Sequence, residues 1–212
     1  MSDCSAAAAF IEFVPQHVSS AVHVIVCIAS IIVNILFIRM FLRDLPCHQN
    51  CRMLLLSLVL VNISHSTAYA SLLCVHLYKV LASKEPCDIL VSAVFCYVMR
   101  LITSSSYTAH TTLLTGLIVE RVIATKLAAT YEKRTVLIGY TILILAILPA
   151  ILLCCLKQWG FNMQKGYYYC SSLTTETSPK VAVIHMTLFL ILLTTVALFG
   201  ILYISNSRMR KR

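Results

Sequence analysis

The sequence predicts an all-α polytopic membrane bundle of five transmembrane helices, with the N-terminus outside and the C-terminus inside. Three observations predict it. Of 212 residues, 59% are hydrophobic and 12% charged, and mean hydropathy is +0.87; a soluble domain carries about 25% charged residues. The charges cluster and leave long uncharged intervals between them. The basic residues fall unevenly on alternate connections. The composition excludes an ordinary soluble enzyme, a disordered chain and a disulfide-rich secreted module.

A spanning helix needs about 20 mostly apolar residues, because the hydrocarbon core is roughly 30 Å thick. Nothing charged separates Glu12 from Arg39, which brackets a first span over 18–40. The interval between Arg52 and Lys79 gives a second over 53–78. The third, 89–120, runs from Asp88 to Glu120 and is interrupted only by Arg100. The fourth, 136–156, lies between Arg134 and Lys157, and the fifth, 181–205, between Lys180 and Arg208. All five read as helices, since an isolated strand leaves its backbone groups unsatisfied in lipid. The whole of 1–212 reads as one membrane domain. The opening MSDCSAAAAF has no basic n-region, so the first run reads as an uncleaved anchor.

Basic residues beside helix ends orient the chain. One side has Lys79, Lys84, Lys157, Lys165 and Lys180. The other has Arg39, Arg43, Arg52, Arg121, Lys126, Lys133, Arg134, Arg208, Arg210, Lys211 and Arg212. That second side reads as cytoplasmic, and its charge suits anionic lipid. The loops are too short for a nucleic-acid domain, so no nucleic-acid partner is expected. Cys47 and Cys51 fall on the reducing side, as thiols or palmitoylation sites. Cys4, Cys87, Cys96 and Cys170 fall outside, where disulfides persist. There Cys170 pairs with Cys96 or Cys87, and Cys4 is free to take the remaining one.

The third helix carries a polar stripe. At about 100° per residue, Thr103, Ser104, Tyr107, Thr111 and Thr115 all fall within about 60° of Arg100. Such groups face other helices or a watery cavity, either as interhelical glue or as pocket lining. Arg100 either snorkels to headgroups or faces an outward-opening cavity and an anion. The second helix has a matching face of Asn62, His65, Tyr69 and His76. Its two histidines are 11 residues apart, about three turns, too far to share a metal. No metal or cofactor is expected. The ligand-pocket candidates are therefore Arg100, Ser104, Tyr107, Thr111, His65, Tyr69 and His76. Glu120-Arg121 reads either as an interfacial charge pair or as an arginine held until a conformational change frees it.

The chain resembles the first five helices of a rhodopsin-like G-protein-coupled receptor. Glu120-Arg121-Val122 stands where those receptors have an acid–Arg–aromatic triplet, and Asn34 in IVNILFI resembles their first-helix asparagine. Asn62 lies 28 residues further on, and Cys96 lies 25 before Arg121. A narrower resemblance rests on HQNCRMLLLSLVLVN, CDILVSAVFCYVMRL and ERVIATKLAATYEK, which are similar to nematode serpentine chemoreceptors of the Sra superfamily, Srab first and Sre or Sra next. The resemblance implies a plasma-membrane receptor, in sensory cilia, coupling an external small molecule to a heterotrimeric G protein. It implies Arg121 as the switch at the G-protein face, restrained by Glu120. It implies a Cys96–Cys170 disulfide, and an interhelical polar network with Asn34 and Asn62.

There are departures. The fourth span has no Trp, the fifth has no Pro, and Asn62 replaces the usual sodium-binding aspartate. The sequence stops at SNSRMRKR, before the sixth and seventh helices, which implies a truncated product or partial gene model that binds G protein poorly. Three other classes compete. A small transporter or channel would show repeats, midplane breaks or deep acids. Only Pro149 lies within a span, and no acid lies deep. An enzyme lacks support, because neither HExxH nor GxSxG occurs. A non-signalling receptor remnant is the fourth class.

Overall fold

A computed structural model describes residues 2–44, 48–126, 136–161, 163, 166–170 and 178–210. Cys47, Lys133, Arg134, Lys165, Lys211 and Arg212 lie outside the described residues, as does the 127–133 part of the ERVIATKLAATYEK run. The described residues form α1 (Ser2–Glu12), α2 (Val14–Asp44), α3 (Gln49–Ala82), a 3-10 turn (Pro86–Ile89), α4 (Ala93–Lys126), α5 (Leu137–Gln158) and α6 (Ser178–Arg210).

Among the described residues, four helices are each long and apolar enough to cross a membrane, within Val14–Met40, Gln49–Ala82, Leu137–Gln158 and Pro179–Ile201. α4 is as long as α3, at 34 residues, but it carries Arg100, Glu120 and a run of hydroxyls. It compensates by position. α4 packs against α3, α5 and α6, whereas α2 packs mainly on α3. The polar helix is thus the enclosed one, because lipid offers its side chains no partners. The apolar helices take the outside, and α2 and α6 turn Ile25, Val33, Phe189 and Phe199 outward.

Small residues set the closest approaches, as in membrane bundles generally. At Gly116 of α4 a Cβ would sit 2.8 Å from Ile142 Cγ2 of α5. Leu54, Leu113 and Ala146 bring α3, α4 and α5 together nearby. A second cluster, Leu72, Val91, Cys96 and Cys170, joins the other end of α3 and α4 to the segment after α5.

Two features differ from the sequence reading. The residues before the first span form a separate helix, α1, which breaks from α2 at Phe13 and packs on the 3-10 turn. The third span, expected from residue 89, begins at Ala93. Val91 is held extended by paired backbone bonds with Tyr167, N to O at 2.9 and 3.0 Å. Disulfides Cys4–Cys87 and Cys96–Cys170 tie α1 to the 3-10 turn and α4 to the following loop.

The Gly116 contact gives a direct test. Gly116→Val should lower stability by about 1–3 kcal/mol through overpacking. Gly200→Ala should be nearly silent, because nothing lies within 4 Å of that position. Thermal unfolding of the two purified variants in detergent reads the difference.

Candidate functional site

Helical spacing on α4 places Arg100, Thr103, Ser104 and Tyr107 on one face, at i, i+3, i+4 and i+7. On α3 the same rule aligns His65, Tyr69 and Leu72. These seven residues line a cavity of about 280 Å³, closed by Tyr169 and Cys170 of the loop and by His185 of α6. The cavity lies at the disulfide end of the bundle.

Arg100 is only 4% exposed. Its guanidinium lies over the Phe161 ring at 4.7 Å, and Phe161 stacks on Tyr167 at 4.9 Å. Arg100 therefore lines the cavity. His65 Nδ1–H donates to the Thr103 carbonyl at 3.1 Å, and its ring stacks on Tyr69 at 5.9 Å. Tyr107 stacks on His185 at 5.4 Å. Tyr169 accepts a hydrogen bond from Gln16 Nε2 at 3.3 Å. Burial pushes its phenol above the ordinary value, against a smaller opposing effect of that bond. Tyr169 is thus a neutral wall.

Two pocket candidates sit elsewhere. His76 is buried, and its Nε2 accepts the Cys170 backbone N–H at 3.0 Å, so it anchors the loop that roofs the cavity. Thr111 is buried in the helix interface, with its hydroxyl turned to the Tyr107 carbonyl at 3.4 Å. The other threonines of α4 behave likewise. Thr103 and Thr115 of the stripe, and Thr108 and Thr112 beside it, each donate to a carbonyl one turn back, the usual refuge of a mid-helix threonine.

Lys157 is a further correction. Counted in the sequence as a loop cation, it lies in the last turn of α5 at 4% exposure. Its ammonium donates to Thr108 Oγ1 at 3.3 Å and faces the Tyr107 ring at 5.8 Å. α5 runs on to Gln158, and the long side chain folds back against α4.

The expected polar network is split. Asn34 donates to the Ser30 carbonyl at 2.8 Å, and Ser30 meets Ser66 of α3 at 3.1 Å. Asn62 turns the other way and accepts from His110 Nδ1 of α4 at 2.6 Å. At the far end of α4, Glu120 is fully buried and holds Arg121 through two bonds, one of them Nη2 to Oε1 at 2.8 Å. Among the described residues no group of His, Cys, Asp and Glu has the arrangement of a metal site.

Sequence reasoning placed Thr103 in the stripe but not among the pocket candidates, and it missed Leu72, Tyr169 and His185 as lining and the burial of Lys157. Thr103 and Leu72 were within reach of the helical spacing. Tyr169 and His185 arrive from other elements, and only tertiary packing brings them in.

The family described as serpentine type 7TM GPCR receptor class ab chemoreceptor matches residues 1–212. The chain belongs to this family. No curated protein matches the chain. Class ab serpentine chemoreceptors are receptors of a non-enzyme class, and the chain is a membrane protein of that kind. The site offers such a receptor two separate features, a polar and aromatic cavity at one end of α4 and a buried acid–arginine pair at the other.

Asn62 and His110 should behave as one unit. Asn62→Ala and His110→Ala should each destabilise by about 0.6 kcal/mol and at most about 1.7, the mean and the upper end for interhelical membrane hydrogen bonds. The double variant should cost well under the sum. A double-mutant cycle on thermal unfolding measures this coupling.

Proposed function

We propose that the chain is a chemosensory receptor of the plasma membrane, with its disulfide end outside. It detects an external small molecule in the α3–α4–α6 cavity and couples this to a heterotrimeric G protein at the Glu120–Arg121 end. One observation carries the reading: α4 lines the cavity at Arg100 and holds the acid–arginine pair at Arg121. The two positions are 21 residues apart, about 32 Å along a helix and so one membrane thickness. α4 thus joins a cavity-lining group at one end to a restrained charge at the other, which gives a ligand a route to bias the pair.

The disulfides support the orientation, since they persist on the oxidising side. The ionic pair supports the switch. Separating Glu120 from Arg121 gives up two charge-assisted hydrogen bonds to a buried carboxylate, so the pair favours one state until something offsets that loss. Arg121, unlike Glu120, is partly exposed.

The ligand half is tested on the chain in lipid nanodiscs, by thermal-shift screening of small organic molecules. A ligand at 100 times its Kd should stabilise the chain by about 2.7 kcal/mol. Tyr107→Trp should remove that shift by filling the cavity. Binding that survives Tyr107→Trp overturns the cavity as the site.

The coupling half is read by capture of a purified heterotrimeric G protein. Glu120→Gln releases the constraint on Arg121 and should raise capture several-fold. No change on Glu120→Gln overturns the switch role.

A further inference from the structure

We propose that α1 sets the size of ligand the cavity admits, with Phe10 as the positioning residue for the Tyr169 wall. This inference rests on the cavity reading above and names residues that control that site from outside its lining.

The first support is the seating of Tyr169. Its side chain lines the cavity, and two groups from the N-terminal part of the chain hold it. Phe10 of α1 packs on the ring at 5.4 Å between centroids. Gln16 Nε2, at the start of α2, donates to the phenol oxygen at 3.3 Å. One contact seats the ring and the other its far end, so together they fix the swing of the side chain. His76 also meets the ring, at 5.1 Å, but it comes from α3, inside the bundle. Phe10 is the contact that α1 supplies. Its ring reaches Tyr168 as well, at 5.8 Å.

The second support is how α1 is attached. At 11 residues it is too short to span a bilayer, and it packs on the 3-10 turn. The Cys4–Cys87 disulfide ties it to that turn at one end. At the other end it breaks from α2 at Phe13, and Pro15 explains the break. A proline has no N–H for the carbonyl four residues back, and its ring crowds that carbonyl. Here the carbonyl is that of Ile11, and His17 Nε2–H donates to it at 3.0 Å. The His17 ring in turn meets Phe10 edge-on at 5.3 Å. The joint between α1 and α2 therefore bears directly on Phe10. A change of angle there, or release of the disulfide, carries Phe10 away from Tyr169.

The third support is the size of the cavity. About 280 Å³ is at the small end of ligand pockets, which run from roughly 300 to 1,000 Å³. In so small a space the position of one phenol decides which bodies fit. α2 adds to the same control, because His23 meets the cavity wall Tyr69 edge-on at 6.0 Å.

The test uses Thr103→Cys, a lining position, in the full chain in nanodiscs. It is labelled with methyl or benzyl methanethiosulfonate, both neutral and of different bulk. Peptide mass spectrometry reads position 103 separately from the native thiols, and each rate is normalised to that of free glutathione in the same suspension. With α1 intact the methyl reagent should react faster. Phe10→Ala should raise the benzyl-to-methyl ratio about fivefold, the factor expected for loss of one aromatic pair. Cys4→Ser combined with Cys87→Ser should raise it in the same direction, and Phe10→Trp should keep it low. Glu12→Ala, at an exposed position of α1, should leave it unchanged. Cys154, a buried free thiol that bonds the Leu101 carbonyl, should stay unlabelled throughout.

A ratio that does not rise in Phe10→Ala, or in the variant without the disulfide, overturns the proposal. So does an equal rise in Glu12→Ala, or labelling of Cys154 alongside the rise, which reports a general loosening of the bundle. In each of those cases methyl labelling at position 103 still reports an open cavity. Failure of the methyl reagent to reach position 103 overturns the cavity reading itself, and the α1 proposal with it.

Discussion

The polar side chains of α4 must be kept away from lipid, and the rest of the bundle is arranged around that requirement. Arg100, Thr108, Thr111 and Glu120 are all buried on this one helix. Stranding them in hydrocarbon would cost several kcal/mol each. α3, α5 and α6 therefore enclose α4, and they supply its partners: Asn62 for His110, Lys157 for Thr108, Thr195 for Thr115. α2 has little to offer and lies outside α3. Enclosure is achieved by close packing at Gly116 and Gly139, and it leaves unfilled space where the aromatic and cationic groups gather.

That space is chemically simpler than its lining suggests. The threonine hydroxyls of α4 mostly bond back to their own helix. Such bonds satisfy the proton without any partner helix, which lets the stripe sit inside a membrane cheaply. They also remove those protons from recognition. The remaining distinctive groups are a guanidinium, a second cation behind Tyr107, and three tyrosine rings.

The roof over the cavity is held by chemistry of several kinds. The Cys96–Cys170 disulfide, the His76 bond to the Cys170 N–H and the Val91–Tyr167 pair all fix the 167–170 segment to the ends of α3 and α4. α1 adds Phe10 against Tyr168 and Tyr169, and Cys4–Cys87 tethers it. His76, an apparent pocket residue on its helical face, serves this roof. Its ring reaches a backbone donor that the sequence places 94 residues away.

The sequence by itself determined that the chain is a helical membrane bundle. Charge-free intervals of about 20 residues leave the backbone no other means of satisfying its hydrogen bonds in lipid. It also determined the stripe on α4 and the companion face on α3, because helical periodicity is a local property. Arg100, Ser104, Tyr107, His65 and Tyr69 were legible for that reason, and so was Glu120 beside Arg121. Only the tertiary structure decided which of two faces a borderline residue joins. It sent Asn62 toward α4 and not α2, withdrew Thr111 and His76 from the cavity, and folded Lys157 inward from an apparent loop. It also brought Tyr169 and His185 to residues more than 60 positions away in sequence. Those outcomes depend on how helices rotate and slide against one another, and periodicity within one helix carries no record of its neighbour.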